Sequence, residues 1–153
     1  VDTLVIIRAT ADDSTAIFEW RNDGVTRAAS ASQEYVPWGD HERWFADILV
    51  DPTRFLYVAW DGGERVGLCR FDKDAQVATA EVSINLNPAY RGRGYAARIL
   101  GAAIERYRAD SGTALRLTAT IRPENVASLR TFAALGFVAA SSEPGLDHLV
   151  LDY

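Results

Sequence analysis

The sequence has little with which to cross-link itself or hold a metal. Its 153 residues include one cysteine, Cys69, and two histidines, so an internal disulfide is excluded and a Cys/His zinc cluster lacks donors. No metal ligands are expected, and the expected setting is a reducing, cytoplasmic one. Long apolar runs are missing as well, since no stretch approaches the roughly 20 residues a membrane span needs. The N-terminal VDTLVIIRAT has no basic region leading into an apolar stretch and a small-residue cleavage site. Neither membrane association nor a signal peptide is expected. Repeats, low-complexity tracts and linker-like segments are also absent, so residues 1–153 are read as a single domain. Lysine is nearly missing, with fifteen arginines to one lysine. With abundant alanine, that reads as compositional bias rather than function.

What is present is a globular composition, 48% hydrophobic and 24% charged. A chain of this length buries roughly 70% of the surface its unfolded form exposes. The net charge of -5 argues against nucleic acid as the main partner. That charge is unevenly spread. Between Asn87 and Arg108 five arginines face one acid, Glu105, so this segment carries +4 and the remainder -9. An anionic guest is expected there.

Apolar spacing gives the order of elements. LVIIRA (Leu4 to Ala9) reads as a strand, and Thr10 with an acid three residues later opens a helix that ends near Asn22-Asp23-Gly24. A second helix starts around Pro37 to Asp40, faces inward with Trp44, Phe45, Ile48 and Leu49, and stops at Asp51-Pro52. FLYVAW, the turn Asp61-Gly62-Gly63 and RVGLCRF form a hairpin. TAEVSINL alternates as a further strand and feeds a helix from Tyr95 to about Asp110. ALRLTATI is a strand, Pro123 stands at a helix start, Gly136 ends that helix, and FVAA and HLVLDY close as a strand pair. The expected class is α+β, with a mixed central sheet of 6–7 strands flanked by about four helices.

The charged segment is a strand, a turn and a helix start: NPAYRGRGYAARIL. Backbone amides left unpaired at a helix N-terminus, with the positive end of the helix dipole, suit phosphate. Gly92 and Gly94 allow close approach, and Arg91 and Arg93 can fork onto phosphate oxygens. A plain turn with solvated arginines is the alternative. Gly92-Arg93-Gly94-Tyr95-Ala96-Ala97 also matches the dinucleotide fingerprint, but the acid expected about 20 residues on is missing from Thr118-Ala119-Thr120-Ile121. Only 61 residues follow Gly92, too few for that fold, and no Gly-Lys-Ser/Thr completes a P-loop.

Arg91-Gly92-Arg93-Gly94-Tyr95-Ala96 resembles the acetyl-CoA signature R/Q-x-x-G-x-G/A of the GNAT N-acetyltransferase superfamily. Asn125-x-x-Ser128 leading to Leu135-Gly136-Phe137 resembles that superfamily's later motif, and the order of elements matches along nearly the whole chain. The resemblance implies that amides from Arg91 to Ala96 hold the pyrophosphate of acetyl-CoA. It implies a splayed strand whose amides near Ile84 and Leu86 pair with pantetheine and polarise the thioester carbonyl, with Asn125 on the CoA arm. The sequence departs from the family at Phe132, where a Tyr seven residues after the Asn often protonates the leaving thiolate. Ser83 or water then supplies that proton, or the thiolate leaves unassisted.

Acetyl transfer needs a neutral amine. A lysine-like amine is neutral in about one part in 2,500 at pH 7, while an α-amino group costs only about 1 kcal/mol to deprotonate. Glu81 is the candidate base, or else a carboxylate on a solvated strand face; Ser83, two residues on, shares its side. Trp20-Arg21-Asn22 with His41-x-x-Trp44-Phe45 resembles the subgroup that acetylates amino sugars on nucleotide carriers, as in pseudaminic-acid synthesis. A Trp-Arg-Asn also occurs in acetyltransferases of ribosomal-protein N-termini. Arg21 can grip a diphosphate or carboxylate, or help cap its helix. His41 can bind substrate, shuttle a proton or simply pack, and Trp38 can stack a base or sugar. His148 and Cys69 are read as structural. A small amine acceptor and a homodimer complete the expected partners.

Overall fold

The computed structural model describes residues 3–30, 32–74, 76–111 and 116–152. Seven strands form one mixed sheet: β1 (Leu4–Arg8), β2 (Arg54–Asp61), β3 (Glu64–Asp74), β4 (Thr79–Leu86), β5 (Arg116–Ile121), β6 (Val138–Glu143) and β7 (Leu146–Asp152). Their spatial order is β1-β2-β3-β4-β5-β7-β6. Five α-helices accompany them: α1 (Ser14–Asn22), α2 (Gly24–Ala29), α3 (Trp38–Val50), α4 (Tyr95–Ser111) and α5 (Val126–Ala134). The class is α+β, as expected. The ends of two expected strands, Ala114-Leu115 and Tyr153, lie outside the described residues.

The extra helix is α2. α1 ends at Asn22 with Asp23 as its cap, as expected, and the Asp23 side chain then accepts from the Thr26 amide at 3.1 Å and caps six further residues. None of those six is buried, so no apolar periodicity announces them. A second correction concerns Pro123. α5 begins three residues later at Val126, with Asn125 as its N-cap accepting from the Ser128 amide at 3.2 Å.

Each face of the sheet packs its own apolar cluster. On one face α4 and α5 press Ile99, Leu100, Ala103, Tyr107 and Phe132 onto Tyr57, Phe71, Val82, Leu117 and Ala119. Phe71 and Tyr107 stack there with ring centroids 4.2 Å apart. Burying a ring of that kind contributes roughly 3 kcal/mol. On the other face α1 and α3 set Ile17, Trp20, Phe45 and Ile48 onto Leu56, Val58 and Leu68. Those apolar contacts fall on β2 and β3; α1 also approaches β4, and Glu81, Ser83 and Thr120 still border open space on that side.

Candidate active site

β4 and β5 run parallel but stay in register only from Thr79–Arg116 to Glu81–Thr118. Beyond Glu81 they part, and a cleft of about 810 Å³ opens between them. The edge of β4 is exposed there in a defined way. The Asn87 amide donates to the Val66 carbonyl on β3 at 3.0 Å. Backbone groups alternate sides along a strand, so the amides of Asn85 and Ser83 also face β3. Those of Ile84 and Leu86 therefore face the parting, and both residues line the cleft.

At the C-terminal end of β4 the chain makes a 3-10 turn over Pro88–Tyr90 and enters α4 at Tyr95. Gly92 and Gly94 have φ of 73° and 75°, values open to glycine and strained for other residues. A Cβ added at either would meet no described protein atom within 4 Å, so the backbone borders open space. Both glycines, with Tyr95, Ala96 and Ala97, line the cleft. This cradle of amides at a helix start fits a pyrophosphate.

The arginines of the turn have partners within the protein. Arg91 lines the cleft and anchors its guanidinium on α2. It bonds Asp23 Oδ2 at 2.5 Å and Thr26 Oγ1 at 2.6 Å, which ties the turn to α2. Asp23 is held below the usual carboxylate range, first by that hydrogen bond. The Arg91 amide donates to the Pro88 carbonyl, so the cradle's free amides start at Gly92. Arg93 lies over the Tyr90 ring at 5.2 Å. Asn125 lines the cleft, caps α5, and donates to the Ala29 carbonyl at 3.4 Å. The Tyr95 hydroxyl donates to Asp61, which holds that phenol above its usual range.

Glu81 and Ser83 project from the open face, and both line the cleft. Directly across β3 from them stand Asp72 and Arg70. Asp72 lies 3.1 Å from both Arg54 and Arg70. Arg21 reaches the same side from α1, stacked on Trp44 at 4.3 Å. Among the described residues it has no carboxylate partner, and burial, then Arg70, lowers its affinity for its proton. Arg21, Arg70, Trp44 and Glu34 all line the cleft.

The structure does not bring His41 or Trp38 to that cleft, which corrects the expectation for both. His41 is fully buried among aromatic rings, stacked 5.6 Å from Phe45. Its Nε2 lies 3.0 Å from the Ser14 carbonyl and its Nδ1 3.4 Å from Arg21. Burial pushes its pKa below the usual imidazole range. The ring positions Arg21 rather than meeting a ligand. Trp38 packs edge-on against Phe18 at 4.9 Å. Phe132 is buried in the cleft wall, packed against Phe137, and offers no proton. Cys69 is buried, which pushes its thiol far up. Sequence reasoning missed Arg70 and Thr120, both cleft residues. Strand alternation could have put Arg70 on the face of Glu81, but only the register shows what it opposes.

Among the described residues no cluster of three or more His, Cys, Asp or Glu could hold a metal, and no helix is long and apolar enough to cross a membrane. No curated protein matches the chain. Its structure resembles that of a spermidine N-acetyltransferase from Vibrio cholerae, bound to CoA and spermine, with a TM-score of 0.87 at 15% identity over 98% of this chain and 95% of that one. An N-acetyltransferase from Staphylococcus aureus gives 0.82 at 23% identity, covering 99% of both chains. The ribosomal L7/L12 α-N-protein acetyltransferase RimL, bound to coenzyme A, gives 0.82 at 15% identity over 99% of this chain and 95% of that one. The model of the acetyltransferase (GNAT) domain matches residues 3–138. With the parted strands and the glycine cradle in place, the chain belongs to the GNAT family of acetyl-CoA-dependent N-acetyltransferases.

Proposed function

We propose that the chain acetylates the primary amine of a small acceptor that also carries an anionic group, of the kind a nucleotide-linked amino sugar presents. The observation behind this reading is Arg21: a partly buried cation on Trp44, with no carboxylate partner among the described residues, beside Arg70 on the acceptor side of the cleft. A buried charge without a partner is unfavourable, and with Arg70 already beside Asp72 it is Arg21 that lacks an anion. A polycation would meet repulsion there.

Acetyl-CoA supplies an activated acetyl thioester. Toward it, amides from Gly92 to Ala96 cradle pyrophosphate, Asn125 borders the CoA arm, and the Ile84 and Leu86 amides aim at the carbonyl oxygen where charge develops. Arg91 supports the cradle from behind through Asp23, and Arg93 adds positive charge beside it. Glu81 takes a proton from the amine through water, and Ser83 orients that water. Holding both partners in one cleft removes much of the entropic barrier. Residues 1–153 act as one catalytic domain, cytoplasmic and homodimeric in this reading.

A peptide N-terminus is a second reading, favoured by the two carboxylates, Glu34 and Glu81, in the same cleft. The test is thiol release from acetyl-CoA across nucleotide-linked 4-amino sugars, acidic amino acids, basic peptides and spermidine. Release with anionic amines supports the proposal; release with peptides or spermidine alone overturns it. Glu81→Gln should lower kcat about a hundredfold. Binding without any turnover, and no effect of that substitution, would leave a non-catalytic acyl-CoA-binding module.

A further inference from the structure

β5 and β7 pair with Thr120 opposite His148, and the register that joins Glu81 to Thr118 carries one sheet face across to them. Opposite residues share a face, so Glu81, Ser83, Thr120 and His148 all project from the open side. Thr120 lines the cleft. Its Oγ1 lies 3.3 Å from His148 Nδ1, and His148 Nε2 lies 3.0 Å from Glu143 Oε1. The far end of this chain of groups reaches solvent: the His148 and Glu143 side chains are 36% and 56% exposed. Sequence leaves all three residues unremarkable. The fold makes them a continuous polar path from the cleft wall to water.

Resting on the acetyl-transfer reading, we propose that Thr120, His148 and Glu143 are the exit route for the proton that the reaction releases. An ammonium and a thioester become an amide, a thiol and one free proton. The nitrogen therefore sheds two protons and the sulfur gains one. Glu81 takes the first before attack and is available to return it to the sulfur when the C–S bond breaks with its electron pair. The second leaves the nitrogen once the N–C bond has formed. Glu143 accepts from His148 Nε2–H and so fixes the tautomer whose Nδ1 lone pair faces the Thr120 hydroxyl. Thr120 Oγ1 accepts the nitrogen's proton as its own passes to Nδ1, and the Nε2 proton moves on to Glu143 and solvent. This division of labour needs no acid at position 132. Thr120 is the catalytic group, and His148 and Glu143 act through it.

The probe is hydroxylamine, which is neutral at pH 7. It needs no deprotonation before attack yet must still lose a proton after it. Wild type should accelerate acetohydroxamate formation from acetyl-CoA. Thr120→Val and His148→Ala should lower kcat about a hundredfold, with KM and the calorimetric acetyl-CoA affinity unchanged. Thr120→Ser should restore the rate, and added imidazole should partly rescue His148→Ala. In ¹⁵N spectra of the His148 ring, Nδ1 should read as an unprotonated acceptor and shift in Thr120→Val. Unchanged turnover in Thr120→Val, a proton resident on Nδ1, or an acetyl group trapped on Thr120 overturns the relay alone. Acetyl-CoA binding by wild type without hydroxamate formation overturns the acetyl-transfer reading, and the relay with it.

Discussion

The turn between β4 and α4 and the wall built from α1, α3 and β3 border one cleft, yet they are made of different material. On the donor side the groups presented are backbone amides, held by Gly92 and Gly94 at positive φ, while Arg91 is tied to Asp23. On the acceptor side they are side chains: Arg21 on Trp44, Arg70 across from Ser83, and Glu81. A backbone site tolerates many side chains provided the conformation survives, and so it suits a donor common to a family. A side-chain site changes character with one substitution. In the proposed reading, specificity therefore belongs to the second wall.

Several substitutions sharpen or break that contrast. Gly94→Asp forces a strained φ and sets a carboxylate against pyrophosphate. Like-charge opposition of several kcal/mol should weaken acetyl-CoA binding about a hundredfold or more by calorimetry, and unchanged affinity would dissolve the donor wall as described. Arg21→Ala should act only on the other wall, raising the acceptor KM about tenfold, the worth of a charged hydrogen bond, at constant acetyl-CoA affinity. A fall in melting temperature with no change in KM would make Arg21 a packing residue.

Arg91→Ala tests the link between the walls. The Arg91–Asp23 pair is partly exposed, with side chains at 34% and 26%, so its loss should cost about 1 kcal/mol or less. Acetyl-CoA affinity should fall only a few-fold, and the Asp23 carboxyl should titrate closer to its ordinary value of about 3.9. Because the folded pKa is depressed, this pair's stabilisation is fully present above that ordinary value and is lost below it, as pH falls through the lower folded pKa. The smallest effect belongs to His41. Burial holds the folded imidazole below its ordinary pKa of about 6.5. The unfolded chain then binds the extra proton more readily, and stability declines as pH drops below that value. His41→Gln should flatten the decline in urea midpoints between neutral and mildly acidic pH.

The donor wall was largely legible in the sequence because its information is local. Strand alternation from Thr79 to Leu86, two glycines and the apolar face of α4 lie within one continuous segment. The acceptor wall was not. His41 and Trp38 read as ligand-facing because their types are, while the packing of α3 onto α1 buries His41 among rings and leaves Trp38 against Phe18, partly exposed and away from the cleft. α2 left no trace because it buries nothing. Thr120 and His148 are 28 residues apart, and no local pattern states the β5–β7 register that brings them together.

The early parting of β4 and β5 also leaves the Ile84–Leu86 edge of this sheet without a strand partner, and in the proposed reading the donor supplies the missing backbone partners. Stability must then follow mass action. At a donor concentration a hundred times the dissociation constant, binding adds about 2.7 kcal/mol, a sizeable share of what holds a domain this size folded. The melting temperature should climb with acetyl-CoA concentration. The lifetime of the enzyme against proteolysis would then be set in part by how much activated acetate surrounds it, so that abundance and activity respond to the same metabolite.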